Sequence, residues 1–449
     1  MTPTDTPSFP PGFIWGSATS AQQIEGAAAV DGRGPSIWDT FCAQPGRIKD
    51  GSNAAIACDH YHRMPDDVAL MRGLGLTAYR FSISWSRVQP DGGAGDGAWN
   101  EAGFAFYDRL IDELLATGIA PHATLYHWDL PQALHDAFGG WMSRRIVPAF
   151  VAYASEVARR FGDRLASIST LNEPWCVATL GYETGQFAPG ITSRASAAKV
   201  SHHLLLGHGA AIQAMRGITT TSLGIVLNHT PPYAAEPTEA DLAAARLNDG
   251  LTTRWYMDPV FLGSYPIDVI AHLGADAPQV QPSDMATIRQ PLDFLGVNFY
   301  TRAFVSTRVP PVPAPGALGF NDMGWEIYPE ALTELLLRLT RDYAPPPLLI
   351  TENGMANADT LGADGHVHDT PRITYLSAHL QAVADAIAQG ADVRGYFYWS
   401  LLDNFEWDSG YVKRFGLFHT DYATQQRTAK DSACWYSDFI AAQKRRSAQ

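Results

Sequence analysis

Residues 348–354 read Leu-Leu-Ile-Thr-Glu-Asn-Gly and follow a stiff Pro345-Pro346-Pro347 run. A short apolar run bounded by turn-forming residues has the pattern of a buried parallel strand. Gly354 lets the backbone turn tightly behind it. Glu352 is thus expected at the carboxyl end of a buried strand, the face at which a (β/α)8 barrel gathers its catalytic groups. A single carboxylate there is more often a cap for the next helix. A catalytic reading of Glu352 needs a partner from another strand.

Outward from this segment the same pattern recurs. FIWGSATSAQQIEG (13–26) suggests a first strand followed by Gln23. GLGLTAYRFSISWSR (73–87) gives a helix C-terminus, glycines and a second strand that carries Arg80. IAPHATLYHWDLP (119–131) is a third, ending in His127-Trp128-Asp129. ISTLNEPW (168–175) is a fourth, ending in Asn172-Glu173 and stopped by Pro174. SLGIVLNH (222–229) and DFLGVNFYTR (293–302) are the fifth and sixth, and RGYFYWSLLDNFEW (394–407) the eighth. Helical periodicity fills the intervals at about 101–118, 144–161, 195–216, 237–256, 329–341 and 371–389, with a closing helix at 431–443. Alternation of this kind specifies a parallel sheet. Eight units predict an α/β chain forming a single (β/α)8 TIM barrel over residues 9–443, with enlarged loops at the C-terminal face and polar tails at 1–8 and 444–449. A doubly wound sheet would want a nucleotide fingerprint. The glycine-rich 91–97 loop lacks the strand–GxGxxG–helix setting.

Composition narrows the partners. Of 449 residues 46% are hydrophobic and 17% charged, so a large core is expected. The formal net charge of −14, without a basic block, disfavours nucleic acid and anionic membrane surfaces. Cys42, Cys58, Cys176 and Cys434 lie far apart with no metal-ligand spacing, as in a reduced cytoplasmic protein. The N-terminus lacks a leader pattern, and no apolar run approaches a membrane span. A cytoplasmic location is the default expectation, and Asn228-His229-Thr230 is then a chance sequon. His60, His62, His202, His203 and His208 have no HExxH or Cys/His spacing, so no metal and no cofactor are implied.

If the barrel closes, Gln23, Arg80, His127, Asn172, Glu173, Asn298, Tyr300, Glu352 and Trp399 converge on one rim. Glu173 and Glu352 then face each other from the fourth and seventh strands. Two facing carboxylates suit glycoside hydrolysis, one as protonated acid and one as charged partner of an oxocarbenium-like transition state. Burial raises a carboxyl pKa, whereas a cation or hydrogen-bond donors lower it. Arg80, Asn298 and Tyr300 are the expected neighbours that keep Glu352 charged. Glu173, between Asn172 and Pro174-Trp175, is the one expected to hold its proton.

Nine segments in this order are similar to the family 1 glycoside hydrolases, the β-glucosidase family: FIWGSATSAQQIEG, YRFSISWSR, TLYHWDLP, TLNEPW, FLGVNFYTR, MGWEIYPE, ITENG, YFYWSLLDNFEW and KRFGLFHTDY. The resemblance runs from about Phe9 to Ile440. It implies Glu173 as general acid/base and Glu352 as nucleophile of a retaining enzyme, with the carboxyl groups about 5–5.5 Å apart rather than the roughly 6.5–9.5 Å of inverting enzymes. It also implies a sugar site formed by Gln23, His127, Asn172, Trp399, Glu406 and Trp407, and leaving-group walls at Trp175 and Trp325. With twelve tryptophans in the chain, some are core residues, and Trp325 has the weakest case. Two positions depart from the family pattern. Gln22 stands where an aromatic residue or His is usual, and Ile168 where Trp is common. Neither is a catalytic position.

The substrate implied is a small β-glycoside, with terminal β-D-glucosyl residues the first choice. The same Gln/His/Glu set serves β-galactosidases, β-fucosidases and transglycosidases, and the leaving group depends on the loops at 178–190 and 309–325. A 6-phospho-β-glycosidase is disfavoured by Glu406 and by Phe415, which follows Lys413-Arg414 where a phosphate-binding Tyr is expected. Glu173 argues against a thioglucosidase. A non-catalytic sugar-binding barrel would leave both carboxylates idle. The sequence leaves room for a homo-oligomer.

Overall fold

The computed structural model describes residues 7–308 and 318–447. The expected loop segment 309–317, residues 1–6 of the N-terminal tail and 448–449 of the C-terminal tail lie outside the described residues. Eight parallel strands close a barrel in sequence order: β1 (Ile14–Ala18), β2 (Ala78–Ser82), β3 (Ala120–Tyr126), β4 (Ser167–Asn172), β5 (Ser222–His229), β6 (Phe294–Phe299), β7 (Leu348–Asn353) and β8 (Val393–Trp399). β8 pairs with β1, so no strand edge remains in the barrel. β2, β4, β6 and β7 are buried at every position, because the barrel lumen lies on one face and the helical ring on the other.

Alternation along the strands separates two apolar layers. One lies under the helices, where Val297 and Ile350 join Leu335, Leu336 and Leu376. The smaller one groups Ala18, Ala78, Phe294, Leu349, Phe397 and Trp399. Its width is set partly by Gly16, whose Cβ would lie 2.4 Å from the Phe397 ring. Gly354 does not take a left-handed turn. A Cβ there would sit 1.8 Å from the Trp399 carbonyl oxygen, so close approach of β8 is what requires glycine.

The strand ends are irregular where they carry polar groups. β4 holds one extra residue against β5 between Ser169 and Asn172. β7 does so against both neighbours, since Val297 and Asn298 pair with Ile350 and Glu352, and Tyr396 and Tyr398 with Ile350 and Asn353. A bulge of this kind re-aims the side chains that follow it. The two glutamates follow the bulges of β4 and β7, and β8 has an extra residue of its own near its start, between Val393 and Gly395.

Several sequence boundaries move. β3 stops at Tyr126 and β8 at Trp399, so Glu406 and Trp407 stand in a loop and not in the eighth strand. Gln23 lies on a short helix, Ala21–Ile24, after β1. The closing helix runs Asp431–Ser447 and enters the expected tail, while Gln443 donates to the Pro7 carbonyl. Two ribbons are absent from the sequence reading, Pro232–Ala234 with Ala303–Val305 and Phe418–Thr420 with Arg427–Ala429. Beneath the rim, the fully buried Lys430 Nζ lies 2.6 Å from both Asp359 and Asp403, which also meet Arg372 and Arg414. This ionic cluster ties the loop after β7 to the loop after β8.

Candidate active site

Glu352 ends β7 at 3% exposure. Arg80 on β2 donates from Nη1 to its Oε1 at 2.6 Å, and the Tyr300 hydroxyl donates to Oε2 at 2.7 Å. Arg80 is itself held, by Thr124 Oγ1 on Nε and Asn172 Oδ1 on Nη2. A buried guanidinium and a phenol therefore meet the two oxygens of one carboxylate. Burial, followed by the charge of Glu352, raises the Tyr300 hydroxyl well above the ordinary tyrosine range, so it remains a donor.

Glu173 follows β4 with φ of +47°, a left-handed conformation that a residue other than glycine adopts only where its surroundings hold it. Its carboxyl forms no ion pair among the described residues, although the charge of Arg80 acts on it. Asn298 Nδ2 donates to Oε1 at 2.7 Å, and the Cys176 thiol to Oε2 at 3.1 Å. Burial first, and then the charge of Glu352, push its pKa up to about 8 against these donors. The expected association of Asn298 with Glu352 is corrected here. Its amide donates to Glu173 and to Asn172 Oδ1, and its Oδ1 accepts from the Thr351 hydroxyl. Asn298 and Glu352 are register partners, and the extra residue of β7 precedes Glu352 in that pairing.

Asn172 links the halves. Its Oδ1 accepts from Arg80 and Asn298, which fixes the amide orientation and leaves Nδ2 to donate to His127 Nε2 at 3.1 Å. His127 is consequently the Nδ1–H tautomer. Burial and Arg80 keep it neutral, with its pKa well below the usual histidine value, and its Nδ1 has no partner among the described residues. The ring lies nearly parallel to those of Trp399 and Trp407, at 5.8 and 6.0 Å. Trp407, also left-handed at φ +48°, packs between Trp38 and Trp128.

Gln23 accepts from Ser20 and donates to Asn404 and the Phe405 carbonyl at 3.0 Å, with Glu406 Oε2 at 3.5 Å. Burial, then Glu352, Asp408 and Glu173, push Glu406 up to about 8. Of the expected wall residues, Trp325 packs 5.5 Å from the Tyr300 ring and so stands beside Glu352. Trp175 borders a different cavity of about 280 Å3, with Ser201 and Trp255, and neither glutamate lines it. Cys176, Thr351 and Asn404 were not singled out in the sequence. Cys176 had one local signal, its place three residues beyond Glu173 in a helical turn.

The expected helix histidines are engaged elsewhere. His202 contacts Tyr265 and Asp284, His203 the Trp141 carbonyl, and His208 Thr170. None of the described helices is long and apolar enough to cross a membrane.

This arrangement can be compared with known proteins. The chain matches Glycosyl hydrolase family 1 over residues 5–445. It belongs to that family. It is a glycosidase. It is similar to thermostable beta-glucosidase B of Thermobispora bispora, 47% identical over 96% of this chain and 90% of the relative. A beta-glucosidase of an Agrobacterium species is 45% identical over 96% and 94%. Among solved structures, the beta-glucosidase of Thermotoga maritima in complex with glucoimidazole aligns with a TM-score of 0.93 at 41% identity, covering 97% of this chain and 99% of that one.

Proposed function

We propose that this family 1 enzyme is a retaining β-glucosidase in which Glu352 is the nucleophile and Glu173 the general acid/base. The unequal setting of the two carboxyls carries the reading. Arg80 and Tyr300 both serve the Glu352 carboxylate, whereas Glu173 is buried without an ion pair among the described residues and pushed up to about 8. Environments that separate two carboxyl groups in this way assign the base-like and acid-like partners.

In the first step a Glu352 oxygen bonds to the anomeric carbon as the glycosidic C–O bond breaks. The leaving oxygen takes the bonding pair and the proton of Glu173. In the second, Glu173 removes a proton from water, which attacks the anomeric carbon and releases Glu352 as carboxylate. Two inversions return the original configuration. Hydroxyl-pairing groups at Gln23, His127, Asn172 and Glu406 and the indoles of Trp399 and Trp407 suit a neutral pyranose, and glucoimidazole in the Thermotoga maritima relative supports glucose.

A 6-phosphate is a poor fit, though Glu406 is not the main reason. With its pKa pushed up to about 8, Glu406 repels an anion less than a fixed charge would. The stronger argument is the cation count. Lys413 is engaged by Asp322 at 3.0 Å, and Phe415 offers no hydroxyl.

The test is a panel of p-nitrophenyl β-glucoside, β-galactoside, β-fucoside and 6-phospho-β-glucoside with the purified protein. The β-glucoside is expected to have the highest kcat/KM. Turnover of the 6-phosphoglucoside alone would overturn the neutral-sugar reading, and no turnover of any substrate from pH 5 to 9 would favour a sugar-binding barrel.

A further inference from the structure

Glu173 is held from two sides by groups of unequal strength. Asn298 belongs to β6, while Cys176 opens the Cys176–Leu180 turn directly beyond Glu173, and its side chain reaches back over the preceding residues. Cys176 is buried. Burial and the charge of Glu173 push its thiol well above the ordinary range, so it stays S–H and donates.

We propose that Cys176 is a positioning residue that holds the proton-carrying oxygen of Glu173 in its carboxylate state. The proposal rests on the reading of Glu173 as acid/base. An amide N–H only donates, so Oε1 remains an acceptor toward Asn298 whether Glu173 is charged or neutral. The acidic proton then belongs on Oε2, the oxygen that faces Cys176 Sγ at 3.1 Å. A thiol is a weak donor and a weak acceptor. Beside the carboxylate it donates to Oε2. Beside the neutral acid it turns its hydrogen aside and leaves Oε2–H for the glycosidic oxygen.

A hydroxyl at this position would grip the anion more tightly, and a methyl group would not grip it at all. Serine and alanine at 176 should therefore move the titration of Glu173 in opposite directions, which a packing role would not do. The other ionisable groups acting on Glu173 are Glu352 from β7, Arg80 from β2, and Tyr300 and Glu406 on the rim. None is altered by these substitutions.

The experiment compares the pH dependence of kcat/KM on an alkyl β-glucoside for the native enzyme, Cys176→Ala and Cys176→Ser. The alkaline limb is expected to rise by about 0.5 unit in Cys176→Ala and to fall by about 0.5 unit in Cys176→Ser, the size of a weak hydrogen bond to a charged group. Limbs that stay in place in both variants, or move the same way, overturn the proposal. If Cys176→Ala does not fold, the direction in Cys176→Ser decides it. Glu173→Ala is assayed alongside on alkyl and 2,4-dinitrophenyl β-glucosides. Equal losses on both would sink the acid/base reading itself. Selective survival of the dinitrophenyl substrate with unmoved Cys176 limbs sinks only the positioning role.

Discussion

Asn298 on β6 gives its amide proton to Glu173, just beyond β4, at 2.7 Å, although its register partner is Glu352 on β7. The side chain of Asn298 thus serves the acid candidate, while Tyr300, directly after β6, serves the nucleophile candidate. Asn298→Ala should lower kcat/KM by about 10- to 100-fold on alkyl β-glucosides, the worth of one or two hydrogen bonds to a charged or buried group. The loss on 2,4-dinitrophenyl β-glucoside should be smaller, and equal losses on the two would contradict the assignment.

Arg80 compensates Glu352 directly and orients Asn172 at the same time. Arg80→Met should reduce kcat by about 10²–10³-fold on every substrate, since it strips a preorganised cation from the reacting carboxylate. Steady-state kinetics on good and poor leaving groups checks this, with circular dichroism to confirm the fold. A change in KM alone would argue that Arg80 merely supports the barrel.

The proton on Glu173 sets the alkaline limit. Its pKa is raised, so the neutral acid is present below about pH 8 and is lost as pH rises through that value. For an alkyl β-glucoside, kcat/KM should fall about tenfold per unit above that point. With 2,4-dinitrophenol as leaving group the fall should be much shallower, because that oxygen needs no proton. The paired pH profiles on one enzyme sample decide it.

Lys430 is fully buried between Asp359 and Asp403. Lys430→Met removes one cation and leaves two buried aspartates that share Arg372 and Arg414. A loss of about 3–5 kcal/mol is expected, measured as a lower urea midpoint. Glu406 and Trp407 follow Asp403 in the same loop, so residual activity at low temperature should show a raised KM.

The barrel was legible because buried parallel strands are written as apolar runs and their ends as polar punctuation. Both glutamates, and Arg80 and Tyr300 around Glu352, followed from strand order and type alone. Side-chain partners beyond that depend on local register. The extra residues in β4 and β7 re-aim the ends of those strands, where Glu173 and Glu352 stand, and a bulge has no sequence signature comparable to alternation. The loop 400–407 reads like a continued strand because its apolar residues are buried too, against the core under the rim. Cys176 looked like an inert thiol for the same reason, since burial is common to packing and to positioning. Gly354 reads as a turn glycine, whereas what requires it is the close Trp399 carbonyl.

The most direct test is covalent trapping with 2,4-dinitrophenyl 2-deoxy-2-fluoro-β-glucoside. The fluorine slows both steps by opposing positive charge at the anomeric carbon, and the good leaving group restores the first, so the glycosyl-enzyme accumulates. Peptide mass spectrometry should find one fluoroglucosyl group, on Glu352. A label on Glu173 or Glu406, or no adduct together with release of the α-anomer from an ordinary β-glucoside, would contradict the assignment.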